Sequence, residues 1–279
     1  MKLNEIGITI KCACGSTQRE ILENIKNAGF KHVMIDQAIG NIEEGIQIAH
    51  ELGLAVPFVH LNTGLENTLY ENEKIAEEFI KKTCADIELC AKYGIETVVI
   101  HPAMNYDTLT PAPEPGKNAL ANLRKIAHRA ERCKVRVAIE NFDEANVWHL
   151  FYLLDHVKSP YIGFCYDSGH HNLLTPDFDL LSSYGDRLFA VHFQDNNMDY
   201  DPERGWGNDL HLLPFDGKID FERVAEQIAE SKYRGVVMIE STRVFHKFHM
   251  RYRDLTAGEF LKRALAHGER LSEMITGKL

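Results

Sequence analysis

The stretch Tyr161-Ile-Gly-Phe-Cys-Tyr-Asp-Ser-Gly-His-His171 predicts a buried β-strand that ends in acidic and imidazole side chains. Asp167 and His170 stand three residues apart, with Gly169 between them. The glycine suits a strand end that bends and presents both side chains to one point. The pattern is weak by itself, but almost every other predicted strand also ends in His, Asp or Glu.

The rest of the chain alternates short β-branched runs with helical patterns. Strands separated by amphipathic helices of 10–20 residues are typical of parallel βαβ units, and eight evenly spaced strands favour a closed (β/α)8 TIM barrel over an open sheet. Besides the opening stretch, the strands are predicted at residues 6–10, 33–36, 55–60, 97–101, 136–140, 188–192 and 236–240.

Size and composition agree with such an α/β barrel. The chain has 279 residues, of which 44% are hydrophobic and 26% charged, and its net charge is −10. An α/β barrel typically uses about 250 residues as one domain. No linker or compositional break divides the sequence, so we expect a single domain over residues 1–279. The acidic charge disfavours nucleic acid and anionic membranes as partners, although a local basic patch can override it.

Other features of the sequence predict a cytoplasmic protein without a membrane span. The sequence has no apolar run of about 18 residues, the length a membrane helix needs. The first residues lack the apolar segment of a signal peptide. None of the six cysteines forms a CxxC pair, so we expect reduced thiols. The outward helix faces carry no feature that indicates an interface, and a homo-oligomer remains open.

The strand ends carry a set of side chains able to bind a metal. Active sites of TIM barrels lie at the carboxyl ends of the strands, so we expect these side chains to converge on one mouth. Carboxylates mixed with imidazoles, without thiolates, suit Zn²⁺, Mn²⁺, Co²⁺ or Fe²⁺ better than Ca²⁺. The candidates are His60, His101, Glu140, Asp167, His170, His192, Asp209, His211 and Glu240.

These candidates are not equally strong. Glu140 and Glu240 each close an apolar strand, and burying such a charge is costly unless it is paired or binds a metal. A single histidine at a strand end is more often hydrogen-bonded than metal-bound. His60, His101, Asp209 and His211 are therefore predicted either as additional metal ligands or as groups that hold the hydroxyls of a substrate.

Six short motifs occur in an order and at positions that are specific together. The chain resembles the xylose-isomerase-like TIM barrel superfamily, which contains sugar and sugar-phosphate isomerases and epimerases and the endonuclease IV type of apurinic endonuclease. The motifs are Ile100-His-Pro-Ala103, Ile139-Glu-Asn-Phe142, Asp167-Ser-Gly-His170, Val191-His-Phe-Gln-Asp195, Asp209-Leu-His211 and Ile239-Glu-Ser241.

The resemblance implies ligand sets for one to three divalent metal ions. In the isomerase and epimerase branch, one ion (Mn, Zn or Co) would be held by Glu140, Asp167, His192 and Glu240. In the endonuclease branch the same four hold one of three zinc ions. The other two would be bound by His60, His101 and Glu140, and by His170, Asp209 and His211.

Three motifs favour the sugar branch. The chain has the motifs Asp-Ser-Gly-His, Glu-Asn-Phe-Asp and His-Pro-Ala. At the equivalent positions, the motifs of the endonucleases are similar to Asp-Thr-Cys-His, Glu-Asn-Thr-Ala and His-Pro-Gly, in the same order. One feature points the other way. Arg243, Lys247, Arg251 and Arg253 cluster after the eighth strand, where barrels often bind phosphate.

We therefore expect a metal-dependent isomerase or epimerase of a small sugar, sugar phosphate or keto-polyol. Glu140 and Glu240 would move the proton through an enediolate that the metal stabilises. His170 would bind a substrate oxygen. In the long loop 194–217, Trp206 would cap the sugar or simply pack, and Arg204 would bind a carboxylate or phosphate. The alternatives are a multi-zinc phosphodiester hydrolase of the endonuclease IV type and a keto-polyol dehydratase.

Overall fold

The computed structural model describes residues 5–102, 113–142, 144–197, 201, 203, 205–244 and 250–278, with side chains except at 113–115, 144–147 and 205–206. Eight parallel strands form one sheet in this part of the chain. They follow one another in chain order from β1 to β7, and β8 lies beside β1. The strands are β1 (Ile6–Thr9), β2 (His32–Asp36), β3 (Phe58–His60), β4 (Thr97–Ile100), β5 (Arg136–Glu140), β6 (Ile162–Asp167), β7 (Leu188–His192) and β8 (Val237–Ile239).

The sheet closes on itself between its last two strands. A parallel bridge joins Phe193, just past β7, to Ile239 of β8. The N–H of Phe193 donates to the carbonyl of Met238 at 2.8 Å, and the N–H of Glu240 donates to the carbonyl of Phe193 at 2.9 Å. The predicted (β/α)8 barrel is therefore confirmed.

Helices pack around this sheet. In α8, buried residues recur at the three- and four-residue spacing of one helix face, from Phe221 to Ala229. None of the described helices is long and apolar enough to cross a membrane. The helices are α1 (Gln18–Ala28), α2 (Ile42–Glu51), α3 (Glu73–Lys92), α4 (Pro113–Cys133), α5 (Glu144–His156), α6 (Ser168–Leu174), α7 (Leu180–Tyr184), α8 (Phe221–Glu230) and α9 (Ala257–Lys278), with 3₁₀ turns at Glu66–Tyr70, Gly185–Arg187 and Gly205–Asn208.

The first helix is capped by Thr17, although Ser16 beside it is an equally suitable capping residue. The hydroxyl of Thr17 accepts from the N–H of Glu20 at 3.2 Å. The carboxylate of Glu20 accepts from the N–H of Ser16 at 2.8 Å. The two contacts together resemble a capping box, in which both residues satisfy N–H groups that the helix leaves free.

The end of β6 also differs from the predicted bend. Helix α6 starts directly at Ser168, and the carboxylate of Asp167 caps it by accepting from the N–H of His170 at 2.7 Å. Gly169 lies inside the helix. Its missing side chain makes room for the side chain of Gln194 instead of allowing a turn.

Candidate functional site

All nine metal-capable side chains predicted from the strand ends and from the loop after the seventh strand lie buried at the same end of the barrel. His60, Glu140, Asp167 and His192 are the last residues of β3, β5, β6 and β7, so parallel pairing brings them to one edge of the sheet. The others are His101, directly after β4, His170 in the first turn of α6, Glu240, directly after β8, and Asp209 and His211 in the loop between β7 and α8.

Glu140 lies at the centre of this group. Its Oε2 is 3.0 Å from Nε2 of His60 and 3.3 Å from Nε2 of His101. Its Oε1 is 3.2 Å from Nδ1 of His192 and 3.4 Å from Nδ1 of His170. Four imidazoles from four different segments therefore surround one carboxylate that is 1% exposed.

The imidazoles keep Glu140 ionised. Burial by itself favours the neutral acid and raises the pKa. The charge of His192 and the hydrogen bonds from His101, His170 and His192 outweigh burial and hold the pKa of Glu140 well below its ordinary value. A permanently charged carboxylate can serve as a metal ligand or as a general base.

Glu240 approaches the same imidazole from the other side. Its Oε2 lies 3.2 Å from Nδ1 of His192, the nitrogen that also faces Glu140. With Asp167, these residues form a group whose ligand atoms all lie within 4.8 Å of one another. A second group, His60, Glu140 and His192, meets the same distance.

Asp167 is held by its backbone and leaves one oxygen without a bond. The amide of Asn141 donates to the carbonyl of Asp167 at 3.0 Å and accepts from its N–H at 2.8 Å. Oδ1 caps α6, whereas the buried Oδ2 has no hydrogen-bond partner among the residues that the structure describes. Burial, together with the carboxylates of Glu140 and Glu240, raises the pKa of Asp167 to about 7.

The third group of ligand atoms consists of His170, Asp209 and His211. Oδ2 of Asp209 lies 2.8 Å from Nε2 of His211 and 3.3 Å from Nε2 of His170. The other ring nitrogen of His211 lies 2.9 Å from the backbone carbonyl of Glu240, which ties this group to the end of β8.

The loop that carries Asp209 and His211 is anchored by Asp195. Its carboxylate accepts from the N–H groups of Asn196 and Gly217, each at 2.8 Å, and of Ile219 at 3.1 Å. An antiparallel bridge also pairs Asp195 with Leu212, one residue beyond His211. These contacts explain how a long loop places two side chains in the barrel mouth.

Phe142 forms an apolar wall between two of the imidazoles. Its ring centroid lies 4.6 Å from that of His101 and 5.1 Å from that of His170. The wall and the burial of the ligand atoms exclude bulk water, which strengthens electrostatic interactions inside the site.

Sequence reasoning missed two side chains at the mouth. Lys11 follows β1, at the position where acids and imidazoles follow other strands, but only His, Asp and Glu were sought there. Gln194 lies two residues after His192, and its amide donates to Asp209 at 2.6 Å and to Asp167 at 3.3 Å. No local pattern marks an amide as a bridge between two carboxylates.

Two predicted substrate-binding residues cannot be placed in the site. Arg204 lies outside the described residues, and Trp206 belongs to the 3₁₀ turn Gly205–Asn208 with an undescribed side chain. In the basic cluster, Lys247 is also outside. Arg243 donates to the carbonyls of Ala13 and Leu255, Arg251 contacts Asp216, and Arg253 pairs with Asp254.

Comparisons with known proteins agree with this fold. An uncharacterized protein of Sinorhizobium fredii, y4fM, is 28% identical over 92% of this chain and 89% of its own length. Among solved structures, a D-tagatose 3-epimerase-like protein has a TM-score of 0.74 at 20% identity, with 98% of this chain and 99% of that chain covered. The IolI protein with a bound zinc atom has a TM-score of 0.75 at 17% identity, with 99% of both chains covered.

Another solved structure is a fusion of a xylose isomerase-like TIM barrel with 4-hydroxyphenylpyruvate dioxygenase. It has a TM-score of 0.78 at 18% identity, and the match covers 98% of this chain and 43% of the fusion. At such identities these likenesses show the fold. The family model described as Xylose isomerase-like TIM barrel matches residues 22–257. The chain therefore belongs to the xylose isomerase-like TIM barrel family, as its motifs predict.

Proposed function

We propose that this protein is a metal-dependent isomerase or epimerase that moves a proton on a small sugar, sugar phosphate or keto-polyol. The observation that carries the proposal is the group Glu140, Asp167, His192 and Glu240, four strand-end side chains with ligand atoms within 4.8 Å of one another. The names of two proteins with the same fold agree with it, since one is described as D-tagatose 3-epimerase-like and the other as IolI with zinc.

The residues of this group fit a divalent cation. Three carboxylates lie buried together, which is unfavourable unless positive charge compensates them. Oδ2 of Asp167 has no hydrogen-bond partner in the described part of the chain. Nδ1 of His192 faces Glu140 and Glu240 at 3.2 Å each although it can donate only one proton. Three oxygens and one imidazole nitrogen suit Mn²⁺, Co²⁺ or Zn²⁺.

A divalent cation held there supplies a Lewis acid that polarises a carbonyl and acidifies the neighbouring C–H bond. Glu140 and Glu240 then act as the proton-transfer groups. One carboxylate removes the proton, and the same or the other one returns it. Return to the opposite face of the carbon gives an epimer, whereas return to the adjacent carbon converts an aldose into a ketose.

Neighbouring side chains orient these groups. His60 and His101 hold Oε2 of Glu140, so this carboxylate has a fixed direction. Nδ1 of His170 lies 3.0 Å from the carbonyl of Asn141, which fixes the imidazole ring. Nε2, which lies 3.3 Å from Oδ2 of Asp209, is the nitrogen that would turn to a substrate oxygen. Phe142 beside it keeps water away from the reacting carbon.

Metal content and C–H exchange test the proposal. The protein is purified without chelator and its metals are counted by elemental analysis. After reloading with manganese, cobalt or zinc, it is incubated in D₂O with a panel of ketoses, aldoses, their phosphates and keto-polyols. We expect one ion per chain and deuterium at the carbon next to a carbonyl. Loss of water from a keto-polyol, seen by mass spectrometry, would identify the dehydratase alternative.

Variants connect this activity to the site. Glu140→Gln and Glu240→Gln should each abolish C–H exchange, because an amide cannot accept the proton. Glu66→Gln is the matched control, since Glu66 is also buried but accepts from N–H groups of its own turn, which a glutamine oxygen can replace. Absence of bound metal even after reloading would refute the proposal.

A second candidate is a multi-zinc phosphodiester hydrolase. Two further groups favour it, because His60, Glu140 and His192, and also His170, Asp209 and His211, each have ligand atoms within 4.8 Å. The first of these groups contains His192 in place of the His101 that the resemblance implies. This candidate requires two or three zinc ions per chain, cleavage of duplex DNA at an abasic site, and binding that weakens steeply with salt. One ion per chain together with intact abasic DNA would rule it out.

A further inference from the structure

Lys11 places an ammonium group beside a proposed proton-transfer residue. It lies two residues after the end of β1, where its backbone N–H donates to the hydroxyl of Thr9 at 3.1 Å. Its side chain lines a cavity of about 20 Å³ together with Glu240, His211 and Thr242. A space of this size holds about one water molecule, or one oxygen atom of a ligand.

The ammonium has no bonding partner in the described part of the chain. Neither a hydrogen-bond acceptor nor a carboxylate oxygen at ion-pair distance reaches it from those residues. A partly buried ammonium with free donors is unfavourable unless a ligand or water accepts from them. The three donors of Lys11 are therefore available to an oxygen that enters the cavity.

The surroundings keep Lys11 positively charged. Burial by itself would lower its pKa, but the charges of Asp36, Glu240, Glu140 and Asp209 outweigh burial and raise it. Lys11 thus supplies a permanent positive charge at a site built of carboxylates and imidazoles. Such a charge is most useful where negative charge develops during a reaction.

We propose that Lys11 is a catalytic residue whose ammonium donates a hydrogen bond to the substrate carbonyl oxygen, the atom that gains negative charge during proton removal. This inference rests on the proposed function. In that step the C–H bond breaks and its proton passes to a glutamate carboxylate. The C–H electron pair forms a carbon–carbon double bond, and the carbonyl π pair moves onto the oxygen that Lys11 contacts. Return of the proton reverses these movements.

The position of Lys11 beside Glu240 agrees with this role. The donor and a proton-transfer carboxylate line the same small cavity from neighbouring strands, since β1 pairs with β8. A carbonyl oxygen in this cavity would contact Lys11 beside Glu240, the carboxylate proposed to act on the adjacent carbon. Removing a donor of this kind typically lowers kcat by about 10²–10³-fold.

Three variants test the role. Lys11→Met keeps the length of the side chain but removes charge and donors, and we expect kcat to fall by about 10²–10³-fold. We expect kcat to recover in part when Lys11→Arg restores a donor, or when methylammonium or ethylammonium is added to Lys11→Ala. Lys82→Met, which removes an exposed lysine of α3, is the control and should match the wild-type protein.

Metal content and unfolding by urea are measured for every variant, so that a purely structural effect is seen separately from kcat. Recovery of kcat by Lys11→Arg or by the amine supports the proposal. Recovery by neither, or a wild-type kcat in Lys11→Met, overturns it. If the metal-loaded wild-type protein exchanges no C–H hydrogen on any substrate of the panel, the proposed function itself fails, and the inference fails with it.

Discussion

Gln194 passes so close to Gly169 that a Cβ on this glycine would lie 2.1 Å from the amide carbon of Gln194. The amide of Gln194 reaches Asp209 and Asp167 because it passes there. The glycine of the Asp-Ser-Gly-His motif therefore leaves room for the amide of Gln194 and does not form a turn.

Gly169→Ala should weaken both the fold and the site. The added methyl group forces Gln194 away, and overpacking of this kind typically costs about 1–3 kcal/mol in the free energy of unfolding. Loss of the amide bridge should also weaken metal binding by about 10–100-fold, as for other groups that orient ligands. Urea unfolding and titration calorimetry with manganese measure the two effects.

Gly258→Ala is the control for this substitution, because no atom of the described residues lies within 4 Å of a Cβ at that helical position. It should leave metal binding unchanged and the fold as stable or slightly more stable. Combining Gly169→Ala with Gln194→Ala should restore part of the lost stability. If the single variant Gly169→Ala matched the wild type, the contact would not matter.

Removal of the metal should destabilise the protein. The carboxylates of Glu140, Asp167 and Glu240 lie within 4.8 Å of one another and repel without a cation between them. A ligand present at 100 times its Kd stabilises the folded state by about 2.7 kcal/mol. We expect a chelator to lower Tm and manganese to restore it. Asp167→Asn should make Tm much less sensitive to the chelator, and an equal response in both proteins would contradict the assigned ligand.

Asp195→Ala should loosen the loop that carries Asp209 and His211. The substitution leaves the N–H groups of Asn196, Gly217 and Ile219 without their acceptor, at a cost of at least about 2 kcal/mol. Hydrogen exchange across residues 195–219 should become faster. Asp195→Asn keeps one acceptor oxygen and should show a smaller effect, whereas equal exchange in all three proteins would argue against this anchor.

His149 should make the protein less stable at mildly acidic pH. Its side chain is fully buried, and burial lowers its pKa from the ordinary value of 6.5 to about 4. Between pH 6.5 and pH 4 this histidine is therefore protonated in the unfolded chain but neutral in the folded protein. Its contribution to the free energy of unfolding is fully present above about pH 6.5 and is lost as the pH drops towards 4. Between pH 7 and 5 the loss is about 2 kcal/mol.

His149→Leu removes this contribution. The difference in unfolding free energy between wild type and variant, measured with urea at both pH values, should shift by about 2 kcal/mol in favour of the variant at pH 5. A difference that does not change with pH would contradict the prediction.

The sequence alone determined the barrel and which side chains gather at its mouth. Strands read from β-branched runs must be parallel when helices separate them, and parallel strands place their carboxyl ends on one edge. Glu140, Asp167 and His192 close their strands in the structure as predicted. These are local properties, because strand direction and strand end are encoded within a few residues.

Only the tertiary structure decided how those side chains contact one another. Glu140 contacts His60, which is 80 residues away in the sequence, and His192, which is 52 residues away. These contacts follow from closure of the barrel and not from any local pattern. The bridge by Gln194, the space left at Gly169 and the position of Lys11 beside Glu240 arise in the same way. Each depends on packing between segments that are distant in sequence, where hydrophobic pattern and spacing carry no information about which atoms meet.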